Sequence, residues 1–339
     1  MESGEQAIIR QVADLYGLEI SRLLPSQKGY RNTSYPILLK DRSHVNFIMY
    51  KSEPHMLERI KRIHSVSRIL EHQGLPVRHA LNNKIVKLKS VHGTSYGALY
   101  NYLPGETIPW QSYTKDHIKL TGMAMSNLHA GFGHTPNVSV NVANEYEALV
   151  KRMHLYFGRL DVLEAMREKL SIVPTISFRR LAAILNICGN LAYKQNLHMD
   201  FVRGNLLFNT VKPQSTLRVG SVAMTGILDF EKVAYGHPIF DIARTLAFLF
   251  VDCPTKSPEK IEKYFLYSGY NKRGTSQFTR PVVSRDQIKM DLLIELVHLF
   301  LVHDFYKFLV HNPYDFLHQN EHFIRTRNIL HERGMIQFI

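Results

Sequence analysis

The sequence predicts an α+β protein in two parts, a small strand-rich one and a larger, mostly helical one. Three observations carry that expectation. Short β-type runs crowd the N-terminal third around a single helical stretch. After Pro104-Gly105, helical spacing takes over almost to the end of the chain. One strand pair, within residues 205–230, interrupts that helical part.

The elements follow in order. Residues 5–17 have helical spacing and stop at Gly17. From Ser21 to Lys51 the runs SYPILL and VNFIMYK read as strands, separated by the polar turn DRSH. Residues 55–73 return to helical period through Leu57, Ile60, Ile63, Val66 and Leu70, and Gly74-Leu75-Pro76 ends that helix. KIVKLK and YGALYNYL are the next strands, and the boundary is expected to divide 1–103 from 104–339. In the second part, Asn205 and Asp229 lie at the ends of two strands joined by VKPQSTLRVG. Pairing those strands as a hairpin brings the two residues to one end, with Asp200 on the loop just before.

Composition narrows the function classes. Hydrophobic residues are 45% and charged residues 21%, which suits a soluble globular core. Cys188 and Cys253 have no paired spacing and read as buried thiols of a reducing compartment, so a cytoplasmic location is expected. No basic segment followed by an apolar one opens the chain, so no signal peptide is read. The most apolar run, residues 292–310, is interrupted by Glu295, His298, Asp304 and Lys307, and reads as a buried helix rather than a membrane span. The formal charge of +13 is spread along the chain without a nucleic-acid motif. Neither nucleic acid nor membrane is expected as a partner.

The residues that carry chemistry are His198, Asp200 and Asn205 in LHMDFVRGNLLFN, then Asp229-Phe230-Glu231. Magnesium prefers hard oxygen ligands and is usually held by one or two carboxylates plus substrate phosphates. An asparagine and an aspartate suit that task. A further aspartate off the metal can take a proton from an attacking hydroxyl. This ordered set, with Gly236-His237-Pro238-Ile239-Phe240-Asp241-Ile242-Ala243 after it, resembles the aminoglycoside phosphotransferase family, small-molecule relatives of protein kinases.

The resemblance implies a bilobal protein-kinase-like fold with an antiparallel sheet in the small lobe. It implies transfer of the γ-phosphoryl group of ATP, with GTP possible, to a hydroxyl of a small molecule, with magnesium. By it Asp200 is the catalytic base, Asn205 and Asp229 bind the metal, and Asp241 anchors the catalytic loop. Arg203 is placed either to steady the transferred phosphoryl group or to pair within its own lobe. His198 orients the loop, and Leu128-His129 matches a packing dipeptide. In the small lobe Gly29, Asn32 and Ser34 fall on the phosphate-covering loop 27–34, and Lys51 ends the strand whose lysine reaches the phosphates. Tyr100 and Tyr102 fall on the hinge that would meet the base of the nucleotide.

Two departures from the family pattern stand out. The loop 27–34 holds a single glycine, and the helix carries Ile63 and His64 where kinases place a glutamate. Both departures also fit a nucleotide-binding scaffold without transfer activity, whereas the intact Asp200, Asn205 and Asp229 favour the enzyme. Residues 236–339 carry 13 Lys and Arg against 11 Asp and Glu, which predicts a neutral or anionic acceptor such as a sugar, amino sugar or related metabolite.

Overall fold

The computed structural model describes residues 4–29, 32–90, 93–109, 112–209, 217–271 and 289–339. Tyr30 and Arg31 of the expected phosphate loop, and residues 211–216 of the expected hairpin turn, lie outside the described residues. The chain divides into two compact units, Met1–Gly105 with Thr225–Glu231, and Glu106–Met224 with Lys232–Ile339. The sequence reading put the whole of 104–339 in one part; the structure returns 225–231 to the first unit. Backbone bonds from Ile227 N to Pro76 O (2.7 Å) and from Arg78 N to Ile227 O (2.9 Å) hold that segment there.

The first unit is a six-stranded sheet with α1 (Gly4–Tyr16) and α2 (Met56–His72). The strands are β1 (Ile20–Leu23), β2 (Gln27–Lys28), β3 (Asn32–Leu39), β4 (His44–Tyr50), β5 (Ala80–Ser90) and β6 (Gly93–Asn101). They run in the order β1-β3-β4-β6-β5, with β2 also on β3, and every pairing is antiparallel. Alternation explains why one face packs: Tyr35 and Ile37, Val45 and Phe47, and Val86 and Leu88 join Leu99 and the α1 residues Ile9 and Val12 in one cluster. Gly97 on β6 is a packing requirement, because a Cβ there would run into the Phe47 ring. The stop signals fall where expected, Gly17 at φ +65° after α1 and Gly74 at φ +80° after α2.

The second unit is mainly helical. Its helices are α3 (Lys115–Phe132), α4 (Val142–Phe157), α5 (Leu160–Leu170), α6 (Phe178–Gly189), α7 (Ile239–Asp252), α8 (Pro258–Glu262), α9 (Met290–His311), α10 (Tyr314–Leu317) and α11 (Glu321–Glu332). Short strands β7 (Ile172–Pro174) and β13 (Ile336–Phe338) pair with each other, as do β8 (Gln195–Leu197) and β12 (Ala234–Gly236). A three-stranded sheet runs β10 (Arg218–Val219), β11 (Val222–Ile227), β9 (Leu206–Asn209). Part of the expected polar turn is therefore itself a strand, closed onto β11 by Gly220 at φ +59°.

A π-helical segment, Lys263–Tyr270, packs on α3. Gly122 permits that approach, since a Cβ there would meet the Phe265 carbonyl oxygen. The apolar run of the C-terminal part is α9, with Leu293, Leu296, Leu299, Phe300 and Phe305 buried. Among the described residues no helix is long and apolar enough to cross a membrane. Cys188 and Cys253 are both free and buried.

Candidate active site

In the second unit the loop after β8 carries His198, Met199, Asp200 and Phe201. Met199 adopts a left-handed φ of 59°, a conformation that a non-glycine residue keeps only when its surroundings impose it. Asp241, in the first turn of α7, does so. Its Oδ2 accepts the His198 backbone N–H at 2.7 Å and its Oδ1 the Met199 N–H at 2.6 Å. One helical turn on, Thr245 donates to the Phe201 carbonyl at 3.0 Å. Asp241 is only 1% exposed, and His129 of α3, fully buried, sets Nε2 3.1 Å from its Oδ2. The Tyr270 hydroxyl stands 2.8 Å from Nδ1 of that histidine. Asp241 thus anchors the loop as expected, and His129, expected only to pack, orients the anchor.

His198 is buried and accepts the Asp200 N–H on Nδ1 at 3.2 Å, the loop-orienting role read from sequence. The Asp200 carboxylate is bonded at both oxygens. Asn205 Nδ2 donates to Oδ2 at 3.2 Å and to the Asp200 carbonyl at 2.9 Å. Lys232 Nζ donates to Oδ1 at 2.7 Å. Burial works to raise the pKa of Asp200, but the Lys232 ammonium, with Arg244 and His198 behind it, holds it below the ordinary aspartate value. Asp200 is therefore ionised at neutral pH.

Lys232 was missed by sequence reasoning. It directly follows Asp229-Phe230-Glu231, but a surface lysine after an acidic motif looks like any other until the chain is folded. Arg203, read either to steady the transferred phosphoryl group or to pair within its own lobe, donates Nη1 to the Ile108 carbonyl at 3.2 Å and sets Nε 3.9 Å from Asp252, both in its own unit.

In the first unit Asp229 also takes a left-handed φ, 58°, and its Oδ1 accepts the Glu231 N–H at 3.2 Å. Glu231 is buried; Asn32 Nδ2 donates to its carboxylate, and Arg59 Nη1 lies 3.8 Å from it. Arg59 also meets Glu53 at 3.1 Å, and Arg62 reaches the Glu231 carbonyl at 3.5 Å. The polarity found in kinases is reversed here: the helix supplies arginines and the Asp-Phe-Glu motif supplies the acid.

Where a glutamate was sought on α2, Ile63 and His64 are buried. His64 Nε2 lies 2.9 Å from the Tyr100 hydroxyl, which is 2.5 Å from that of Tyr50. Burial, then Arg68, lowers the His64 pKa to about 4, so it is neutral. Tyr100 needs correction: it is 1% exposed, and β6 is flanked at this residue by Asn46 and Ala80, so it belongs to the core rather than to a ligand edge. Tyr102, just past the strand, is 41% exposed and lies against His44.

The phosphate-loop residues separate likewise. Gly29 is exposed, and its N–H donates to Asn32 O at 2.8 Å. Asn32 and Ser34 use their side chains structurally, Asn32 on Glu231 and on the Lys51 N–H (3.4 Å), Ser34 on Asn46 (2.7 Å). The Lys51 side chain is exposed and forms no ion pair among the described residues.

The chemistry of the donors fits the magnesium that the motif implies. Asn205 uses its amide nitrogen toward Asp200, so the oxygen of that amide, the hard donor a magnesium ion would take, is not engaged in those bonds. Among the described residues no group of three or more His, Cys, Asp or Glu could hold a metal ion by itself.

A small antiparallel sheet with one internal helix, and a helical unit carrying a pinned His-x-Asp-x₄-Asn loop, define the protein-kinase-like fold. Residues 23–271 match the APH phosphotransferase enzyme family, and the chain belongs to that family. No curated protein sequence matches it closely enough to count as a relative. Solved structures share the fold at low identity. An amicoumacin kinase complexed with AMP-PNP, calcium and amicoumacin aligns over 98% of this chain and 94% of its own, with 13% identity and a TM-score of 0.65. The GDP complex of aminoglycoside 2'-phosphotransferase-IIIa covers 98% of both chains at 14% identity and a TM-score of 0.59. A choline kinase from Cryptosporidium parvum covers 97% of both at 12% identity and 0.51. Family and fold together place the chain among phosphotransferase enzymes of protein-kinase-like fold.

Proposed function

We propose that the protein transfers the γ-phosphoryl group of ATP or GTP to a hydroxyl of a small metabolite, with Asp200 as general base. The observation that carries this reading is the ionised Asp200 carboxylate, fixed at both oxygens on a loop that Asp241 pins. A base that accepts a hydroxyl proton must be deprotonated and must not wander, and this one meets both conditions. Asn205 and Asp229 are the proposed magnesium ligands, through their side-chain oxygens. When bound, the metal neutralises phosphate charge. Lys51 is proposed to reach the phosphates and Gly29 to approach them through its backbone. Tyr102 is proposed to flank the base of the nucleotide.

The experiment is nucleotide turnover across an acceptor panel. Asp200→Ala is expected to lower transfer by about 10²–10⁴-fold while nucleotide affinity stays within a few-fold. Unchanged turnover of a true acceptor in that variant overturns the assignment. A nucleotide-binding scaffold is the second reading, favoured by His64 and Ile63 where kinases carry a glutamate. Wild-type nucleotide consumption that requires both magnesium and Asp200 excludes it.

A further inference from the structure

Kinases hold the phosphate-reaching lysine with a glutamate of the internal helix, and α2 carries Ile63 and His64 where that glutamate is sought. The first unit contains a different connection, in which polar contacts close into a ring. Asn32, at the start of β3, accepts the Lys51 N–H on Oδ1 at 3.4 Å and donates from Nδ2 to the Glu231 carboxylate. Glu231 Oε2 lies 3.8 Å from Arg59 Nη1 of α2, and the same nitrogen donates to Glu53 Oε2 at 3.1 Å. Two residues of backbone lead from Glu53 back to Lys51. One turn along α2, Arg62 Nη2 reaches the Glu231 carbonyl at 3.5 Å.

Burial keeps these charges together. The Glu231 side chain is 6% exposed, against 23% for Arg59 and 24% for Glu53. A carboxylate so enclosed needs a cation and hydrogen bonds, and Arg59 and Asn32 supply them. Arg59 is the ring member that belongs to a helix. It ties α2 both to the strand end that carries Lys51 and to the turn that carries Asp229.

At that turn the ring meets the candidate site. Asp229 holds a left-handed φ of 58°, which a non-glycine residue keeps only under constraint, and its Oδ1 accepts the Glu231 N–H at 3.2 Å. With Glu231 held at its carboxylate and at its carbonyl, the N–H that steadies the Asp229 carboxylate stays in place.

We propose that Arg59 is a positioning residue: by bridging Glu231 and Glu53 it sets the Asp229 carboxylate for the magnesium ion and fixes the strand end that carries Lys51, the task kinases give to a helix glutamate. The inference rests on Asp229 being the metal ligand of the phosphotransferase reading, and it assigns control of that ligand to α2.

The test compares the full-length wild type with Arg59→Met, Arg59→Lys, Glu231→Gln and the double variant Arg59→Met/Glu231→Gln. Calorimetry measures the affinity for ATP with magnesium and for ATP in EDTA. Arg59→Met is expected to weaken the magnesium complex by about 3–30-fold, the range for a residue that acts through another, and to leave metal-free ATP within about twofold. Arg59→Lys keeps the charge and should recover most of the loss. Glu231→Gln keeps an acceptor for Asn32 and removes the ion pair, so it should show the same metal-selective loss, and it carries the test if Arg59→Met does not fold. The double variant should lose no more than the worse single, because the two act through one contact. Damage to the fold would instead lower both affinities together and would not be rescued by lysine. The proposal is overturned if the magnesium complex is unmoved by Arg59→Met and Glu231→Gln, if both forms of ATP weaken equally, or if the double variant loses the sum of the singles. Wild type that binds ATP equally with and without magnesium removes the metal assignment of Asp229 itself, and the proposal with it.

Discussion

Replacing Asp241 by alanine should cost the protein both stability and its working loop. The carboxylate accepts three hydrogen bonds, from His198 N (2.7 Å), Met199 N (2.6 Å) and His129 Nε2 (3.1 Å). Asp241, His129 and His198 are all essentially excluded from solvent, so water does not reach the abandoned donors without rearrangement. Each buried donor left without a partner costs about 1–3 kcal/mol. The three share one acceptor and are not additive, and partial relaxation relieves some of the penalty, so a loss of about 4 kcal/mol is expected. The left-handed Met199 then loses the bond that holds it, and Asp200 loses its orientation. Asp241→Asn retains one acceptor oxygen and should lose roughly half as much. Urea unfolding followed by circular dichroism measures the stability, and nucleotide turnover the loop. If Asp241→Ala unfolds within about 1 kcal/mol of wild type, the anchoring argument is wrong.

Asp229→Asn is expected to weaken the magnesium-dependent part of nucleotide stabilisation in a thermal shift, since a ligand charge facing the triphosphate is removed. An equal shift with and without metal in wild type would count against the magnesium assignment. Asp252 gives a pH prediction. Burial raises its pKa to about 8, with Asp304 adding to the rise and Arg203 and Arg325 opposing it. Its Oδ1 has no hydrogen-bond partner, and the nearby His322 is itself lowered to about 4 by burial. The folded state therefore keeps a proton that the unfolded chain gives up near pH 4, and stability falls as pH rises from about 4 to about 8. Asp252→Asn should flatten that decline and be the more stable form at pH 8, as read by unfolding midpoints across the range; an unchanged slope excludes Asp252 as its source. Expression in a sensitive bacterial strain should confer no aminoglycoside resistance, and resistance that disappears with Asp200→Ala would refute the acceptor-charge argument.

What the sequence determined by itself is what local physics controls. Helical spacing in 5–17 and 55–73, alternation in SYPILL and VNFIMYK, and the stops at Gly17 and Gly74 each depend on a few adjacent residues, and α1, α2, β3 and β4 formed where those patterns lay. The make-up of the loop was legible for the same reason, because His198, Asp200 and Asn205 are set by short spacings and bond to one another within it. The tertiary structure decided the pairings across long separations. Lys232 reaches Asp200 over 32 residues, Asp241 holds His198 over 43, and Arg244 meets Asp304 over 60. No periodicity encodes such contacts, and each depends on how helices and strands distant in sequence pack. Tyr100 shows the reverse error: its position in YGALYNYL was read correctly as strand, but whether a strand residue faces a ligand or the core depends on its neighbours. With β4 and β5 on either side and the His64 and Tyr50 side chains at its hydroxyl, this tyrosine went inward. Glu231 was legible as an acid but neither as the ion-pair partner of Arg59 nor as the residue whose backbone carbonyl accepts from Arg62, because which cation stands beside a carboxylate is fixed by how the helix packs on the chain more than 160 residues away.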